Sequence, residues 1–305
     1  MVTDRDVDLL AYLDRFPYAS MAHLADFTGR HYKRLARRVK QLVKDGLIER
    51  MSYPVRFHEG GGSFPIMHAN TSAGAELLER RRGVAFKNWD RINKPFTEWP
   101  IVDKRAYLRR LPNVEHAILV AKCMAAFTRA ESETLELIEQ PAILAGCPEA
   151  TQKEPKPWQW YVPVVHQETT DIAPIEPDQT FGLHDLEAQR TRFFFLEAET
   201  GKEDLYKSDL GDASNYRKFL AYCGTHVEQA HVERFGFRNF RVLFVVPDAG
   251  RIEAIHAMLH KYSVPGQPGY NAAQYLFTTF DALQRDQNIL DHWVNGKGEA
   301  VSLRF

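Results

Sequence analysis

The chain has 305 residues, 44% of them hydrophobic and 26% charged, with a formal net charge of -1. That length suits one large or two ordinary domains, and the apolar content is enough for a real core. A near-neutral chain has no global polyanion-binding signature, so any nucleic-acid contact must come from local charge asymmetry.

Cys123, Cys147 and Cys223 are scattered, and no pair has zinc-ligand spacing. Reduced thiols in a cytoplasmic setting are the expectation. The opening MVTDRDVDLL is acidic and lacks the basic-then-apolar form of a signal peptide. No apolar run approaches the ~20 residues that a membrane helix needs, so no membrane partner is expected.

Thr3 can cap a helix from Asp4 to Arg15, with Asp4 and Asp6 in the first turn, where the helix dipole favours them. SMAHLADFTG predicts a second helix that stops at Gly29. HYKRLARRVKQLVKDG predicts a third, buried through Leu35, Val39, Leu42 and Val43 and closed at Gly46. LIERMSYP and SFPIMHANT then read as strands around EGGGS, with TSAGAELLERR as a following helix. Three helices and a hairpin with a glycine-rich tip is the winged helix-turn-helix order. Between Arg30 and Lys44 stand Arg30, Lys33, Arg34, Arg37, Arg38, Lys40 and Lys44, with no acidic residue. Such a helix can meet backbone phosphates of double-stranded DNA. A solvated surface helix, or a protein-binding winged helix, is the competing reading. Arg80, Arg81 and Arg82 either touch phosphates or end a helix.

Residues 1–82 therefore form a predicted DNA-binding domain, and 83–106 a connector packed through Phe86, Trp89, Phe96 and Trp99. A helix is expected from Val114 to Ala130, with His116 at its start as a packing residue. TLELIEQPAIL is a strand or a broken helix. PEATQKEPKPWQWYVP reads as a surface loop, whose Trp158, Trp160 and Tyr161 either stack on bases or anchor it.

IEPDQTFGL and TRFFFLEAE predict a β-hairpin. Alternation puts Glu197 and Glu199 on one face and Ala198 on the other. With Asp178 across the hairpin, the glutamates can bind one hard cation, Mg²⁺ or Mn²⁺, through oxygen. That cation would activate water and stabilise phosphoryl charge. DASNYRKFLAYCGTHVEQA predicts a helix capped by Asp212 or Ser214, carrying Lys218 toward the carboxylates. Tyr216 and Tyr222 share that segment and are candidates for a covalent tyrosine by position only. FRVLFVVPD and AQYLFTTF are strands, AGRIEAIHAMLHKY a helix and FDALQRDQNILDHW a last helix. His256, His260 and His292 lack metal-ligand spacing. The order of elements indicates an α/β (α+β) sheet core.

The quoted segments TDRDVDLLAYL, RLARRVKQLVKDGLIER, LPNVEHAILV, IEPDQTFGL, FFFLEAETGKE, NYRKFLAY and RVLFVVPDAGRIEAI follow one another as in the replication-relaxation family, which the chain resembles over most of its length. That family includes the mobilisation C-type relaxases of conjugative plasmids and integrative elements and belongs with the PD-(D/E)xK nucleases. The resemblance implies a restriction-endonuclease-like α/β/α domain over 107–305. It implies catalytic roles for Asp178, Glu197, Glu199 and Lys218, and metal binding by the three carboxylates. Glu199 stands where a (D/E)xK motif places lysine, so either the lysine has moved to the helix as Lys218, with Lys202 as an alternative positive group, or the site is degraded. The expected activity is a metal-dependent DNA endonuclease or nickase initiating mobilisation or replication. Mobilisation or replication proteins are expected partners, and an oligomer is possible. The alternatives are a non-catalytic DNA-binding accessory protein on a retired nuclease fold and a winged-helix regulator.

Overall fold

A computed structural model describes residues 2–51, 66–82, 104–166, 169–283 and 288–304. It has mixed α/β architecture and divides into two units, residues 1–129 and 130–305.

The first unit runs α1 (Asp4–Arg15), β1 (Ala19–Ser20), α2 (Met21–Thr28), α3 (Tyr32–Lys44), β2 (Ile48–Met51), β3 (Met67–Asn70), α4 (Ser72–Arg82) and α5 (Lys104–Arg129). The three strands form an antiparallel sheet in the order β1-β3-β2. Thr3 donates its N–H and hydroxyl to Asp6, each at 2.7 Å, fixing the start of α1. Ser20 accepts from the His23 N–H and caps α2. Leu9, Leu10, Leu13, Leu24, Leu35 and Leu42 are fully buried, so the predicted apolar stripes of α1, α2 and α3 face inward together. The EGGGS tip and the aromatic residues expected to anchor the connector lie outside the described residues. The long helix differs from expectation. α5 begins at Lys104, inside the predicted connector, and groups with the first unit, whereas 107 onward was expected in the second domain. Its last turn is tied to α2 by Arg129 on the buried Asp26 carboxylate at 2.9 Å.

The second unit begins with β4 (Leu135–Ile138) and α6 (Gln140–Gly146), so TLELIEQPAIL is a strand followed by a helix with Pro141 in its first turn. The short helix α7 (Glu149–Gln152) follows. Then come β5 (Trp160–His166), β6 (Thr169–Ile175), β7 (Gln179–Asp185), β8 (Arg190–Ala198), α8 (Asn215–Val227), α9 (Ala230–Phe235), β9 (Phe240–Val246), α10 (Ala249–Lys261), β10 (Tyr275–Thr279), β11 (Trp293–Asn295) and β12 (Ala300–Val301). The expected surface loop is in part strand β5. Its Trp160, Val162 and Val164 alternate inward, and Trp160 donates to Thr225 at 2.9 Å, so this tryptophan is core rather than a base-stacking platform. Trp158 stacks on Phe235, whereas Tyr161 is exposed. The expected last helix is also absent among the described residues. Phe280–Leu283 is one 3-10 turn, Asn288 accepts from the Leu290 N–H as a turn former, and the chain ends in the β11-β12 hairpin.

The seven-stranded main sheet has the order β12-β11-β10-β9-β8-β7-β4. β8, β9 and β10 are parallel, joined through α8 to α10, and β7 is antiparallel to both its neighbours. Phe195, Val242, Phe244, Val246 and Phe277 make one inner face, on which α8 and α10 pack through Phe219, Tyr222, Ile255 and Leu259. Gly224 lets α8 approach β5. A Cβ there would lie 2.4 Å from the Pro163 carbonyl oxygen. Among the described residues, no helix is long and apolar enough to cross a membrane.

Candidate active site

The second unit places its charged groups at the carboxyl ends of β8 and β9, where ligands of open α/β sheets bind. The hairpin register pairs Gln179 with Leu196, so Asp178 enters β7 beside the end of β8. Its N–H donates to the Leu196 carbonyl, and its Oδ2 accepts from the Ala198 N–H at 2.7 Å. Glu197 follows Phe195 on the inner face, two residues on, and is buried. So is Glu199, whose N–H continues the ladder to Val245.

Ser214 caps α8 by accepting from the Arg217 N–H, which sets Lys218 in the helix's first turn. From there the Lys218 ammonium reaches Glu197 Oε2 at 3.0 Å and Glu203 Oε2 at 3.0 Å. One turn later the Tyr222 hydroxyl donates to Glu197 Oε1 at 2.6 Å. Glu203 arrives on a loop turned at Gly201, whose φ is +81° and whose Cβ, if present, would meet Pro247 at 2.7 Å. Asp248 caps α10 by accepting from the Arg251 N–H at 2.8 Å. The same first turn lets the Arg251 guanidinium fork onto Glu199, with Nε at 2.8 Å from Oε1, and bond the Glu203 carbonyl.

Burial pushes the Glu197 carboxyl upward. Lys218 opposes that rise and Asp178 adds to it. Burial alone would lower Lys218, but Glu197, Glu203 and Asp178 outweigh it and raise its pKa, so the ammonium stays charged. Tyr222 is pushed well above its usual value of 10.0, first by burial and then by Glu197. A phenol so placed is a hydrogen-bond donor rather than a ready nucleophile. Tyr216, also buried, pairs its hydroxyl with His166 Nδ1 at 2.7 Å.

The structure thus brings Asp178, Glu197 and Lys218 together, with Glu199 on the same sheet face. It does not converge the three carboxylates as a metal-holding set. Among the described residues, no three His, Cys, Asp or Glu side chains are grouped to hold a metal ion. The reason is local. Glu197 is engaged by Lys218 and Tyr222, and Glu199 by Arg251. The donor chemistry nevertheless suits a hard cation. Glu199 Oε2 is buried without a hydrogen-bond partner, the kind of oxygen that a cation would satisfy. Sequence reasoning missed Glu203 and Arg251. Arg251 stands three residues after the N-cap Asp248, and that spacing was the available signal.

In the first unit, Lys33, Arg34, Arg37 and Lys40 are exposed on α3. Lys33, Arg37 and Lys40 follow helical spacing along one face. Arg30 bonds the Arg5 carbonyl at 2.9 Å and, with Arg5, Arg34 and Arg38, lines a cavity of about 380 Å³. Arg38 has another task. It forks onto the buried Asp6, with contacts of 2.7 and 2.6 Å, and so pins α3 to α1. Burial pushes Asp6 upward, but the Arg38 fork and the Thr3 bonds pull it down to about 2.

No curated protein and no solved structure matches the chain. The family model described as replication-relaxation matches residues 10–235, which include Asp178, Glu197, Glu199, Lys218 and Tyr222 and end before Arg251. With well over half of its length matched, the chain belongs to the replication-relaxation family, whose role lies in the replication and mobilisation of mobile elements.

Proposed function

We propose that this protein is a metal-dependent DNA endonuclease, a nickase that opens one strand of a mobile element's origin. The observation that carries the proposal is the buried Glu197 held 3.0 Å from the Lys218 ammonium beside Asp178, at the carboxyl end of a parallel sheet. A buried carboxylate, a fixed ammonium and a second acid are what phosphodiester cleavage needs around its charged transition state. The α1-β1-α2-α3-β2-β3 order and the exposed cations of α3 support reading the first unit as a winged helix that docks duplex DNA. Family membership makes DNA and other replication proteins the natural partners.

With Arg251 displaced from Glu199 or sharing it, Asp178, Glu197 and Glu199 would hold Mg²⁺ or Mn²⁺, which when bound supplies Lewis-acid stabilisation and an activated water. The chain's own groups do the rest. Lys218 fixes Glu197 and places a positive charge where phosphoryl oxygens develop charge. Tyr222 holds the other Glu197 oxygen.

The test is nicking of supercoiled plasmids with and without the cognate origin, in Mn²⁺. Wild-type protein is expected to nick the origin plasmid, and Asp178→Ala to lose nicking while keeping duplex binding. Nicking undiminished in Asp178→Ala would sink the site assignment. A second reading, a non-catalytic DNA-binding accessory protein, is favoured by one observation: Arg251 occupies Glu199, at the position where a (D/E)xK motif has lysine. Calorimetric titration with Mn²⁺ separates the two readings, since only the nuclease requires a cation at this cluster.

A further inference from the structure

The opposite end of the main sheet carries a second polar cavity, formed where β8, β9 and β10 begin, with a volume of about 580 Å³. Arg192 comes from the start of β8, Arg238 and Arg241 from the entry into β9, His226 from the last turn of α8, and Asn239 and Gln274 from the approaches to β9 and β10. Among the described residues, no acidic side chain lines it.

That composition is unusual for a resting surface. Arg234, Arg251 and Arg304 of this unit each pair with a carboxylate. In the cavity, Arg192 is directed to the carbonyls of Leu303 and Arg304, the latter at 2.8 Å. The side chains of Arg238 and Arg241 make no hydrogen bond or ion pair among the described residues. Arg241 is half-buried, and its pKa is lowered, first by burial and then by Arg192. Arg192 is lowered too, first by burial and then by Arg190, with Asp185 opposing. A partly desolvated guanidinium beside another cation, as Arg241 is beside Arg192, is costly until an anion shares it. Gln274 supplies an independent sign. It is 5% exposed, and its Oε1 is buried without a hydrogen-bond partner. An unsatisfied amide oxygen at a cavity wall calls for a hydrogen-bond donor, which water, a sugar hydroxyl or a base N–H supplies and a phosphate oxygen does not.

We infer that this cavity binds a phosphate-bearing nucleotide unit, with Arg238 and Arg241 on the phosphate and the Gln274 Oε1 accepting from its sugar or base. Guanidinium forks match phosphate oxygens in pairs. The volume falls within the roughly 300–1,000 Å³ of small-ligand sites. The unit can belong to a free nucleotide or to a single strand, since both present the same phosphate chemistry. The inference is independent of the nuclease proposal, because the cavity shares no residue with the acidic cluster.

The full chain, in EDTA, is titrated with pyrophosphate, ATP, thymidine and a labelled oligothymidylate, by calorimetry and anisotropy. Three proteins are compared: one with the native cavity, one with Arg238→Gln/Arg241→Gln and one with Arg238→Glu. All carry Arg34→Gln/Arg37→Gln, so that α3 does not dominate the oligonucleotide signal. Wild-type cavity residues are expected to bind at least one probe, and the double variant to weaken that binding at least tenfold. A loss confined to the oligonucleotide assigns the phosphate to a strand. A loss that includes ATP assigns it to a free nucleotide, whereas binding of pyrophosphate alone shows an adventitious ion only and overturns the inference. Arg238 is exposed, so Arg238→Glu leaves the fold intact and is expected to weaken the same probe at least fivefold even if the double variant misfolds. No binding of any probe, or equal binding in Arg238→Glu, overturns the inference. So does thymidine binding as well as the phosphorylated probes.

Discussion

Lys218→Met isolates the electrostatics of the candidate site. Methionine keeps most of the stem's volume and removes the charge. Glu197 is then left with the Tyr222 hydroxyl, and its side chain is only 5% exposed. Removing one partner of a buried pair costs about 3–5 kcal/mol, because the remaining charge stays desolvated. Lys218 is 34% exposed, so water enters where the ammonium was. That screening points to the low end, about 3 kcal/mol near pH 8. Such a loss is a large share of the roughly 5–15 kcal/mol that holds an ordinary domain together.

The sign of the pH dependence follows from the raised Glu197 pKa. An acid whose folded value lies above its unfolded one contributes stability that is complete below the unfolded value. That contribution is lost as pH rises through the folded value. Glu197 already titrates above its usual 4.5, with Lys218 the main influence holding it down. Without Lys218 it rises further, so a proton restores part of the variant's stability as pH falls. The deficit is therefore expected to be larger at pH 8 than at pH 5. Urea unfolding of wild type and variant at both values measures it. Glu197→Gln placed in the same chain removes the stranded charge and is expected to recover at least half of the loss. An equal deficit at both pH values, with no recovery in the double variant, refutes the buried pair as the source.

Arg251→Met strands Glu199, whose side chain is 3% exposed, and is expected to cost about 3–5 kcal/mol. If Glu199 is a metal ligand, Mn²⁺ restores thermal stability more in this variant than in wild type, and an equal Mn²⁺ effect in both counts against that role. Arg38→Ala is expected to lose about 2–3 kcal/mol at pH 7, since the buried Asp6 keeps only its two Thr3 hydrogen bonds and no counter-charge. The Asp6 contribution exists above its unfolded value of 3.8 and fades as pH falls through about 2, so the difference between variant and wild type should close across that window in an acid titration. Gly224→Ala separates helix propensity from packing: propensity alone predicts a gain of about 1 kcal/mol, whereas the 2.4 Å approach to the Pro163 oxygen predicts a net loss. That loss is about 1–3 kcal/mol by overpacking, and thermal unfolding decides the sign.

The local elements were legible where one apolar period and one cap agreed. Thr3, Ser20 and Ser214 each open a helix whose stripe is regular, and those helices stand where the pattern put them. The failures have a common cause. WQWYVPVVH carries the alternation of a strand, but its Pro163 and the prolines and lysines before it read as loop chemistry, and only pairing with β6 makes it regular. DALQRDQNILDHW has a helical apolar spacing that the Asn288 turn and the Trp293 strand override through tertiary contacts. The long α5 helix was found, but its allegiance was not, because a helix's period does not say which neighbours cover it.

The site divides along the same line. That Glu197 and Glu199 share a face follows from strand alternation, and that Lys218 reaches Glu197 follows from a cap four residues earlier. Both are local facts. What the two glutamates do depends on which helix start faces each, and that is set by the parallel order β8-β9-β10. In this topology α8 delivers Lys218 and Tyr222 to Glu197, while α10, one crossover later, delivers Arg251 to Glu199. The two acids therefore differ in kind although they lie two residues apart. Glu197 is held by an ammonium that one turn of helix fixes in place. Glu199 is held by a guanidinium that a metal ion would have to displace or share. If cleavage occurs here, the second pairing is the one that must change between the free protein and the cation-bound state.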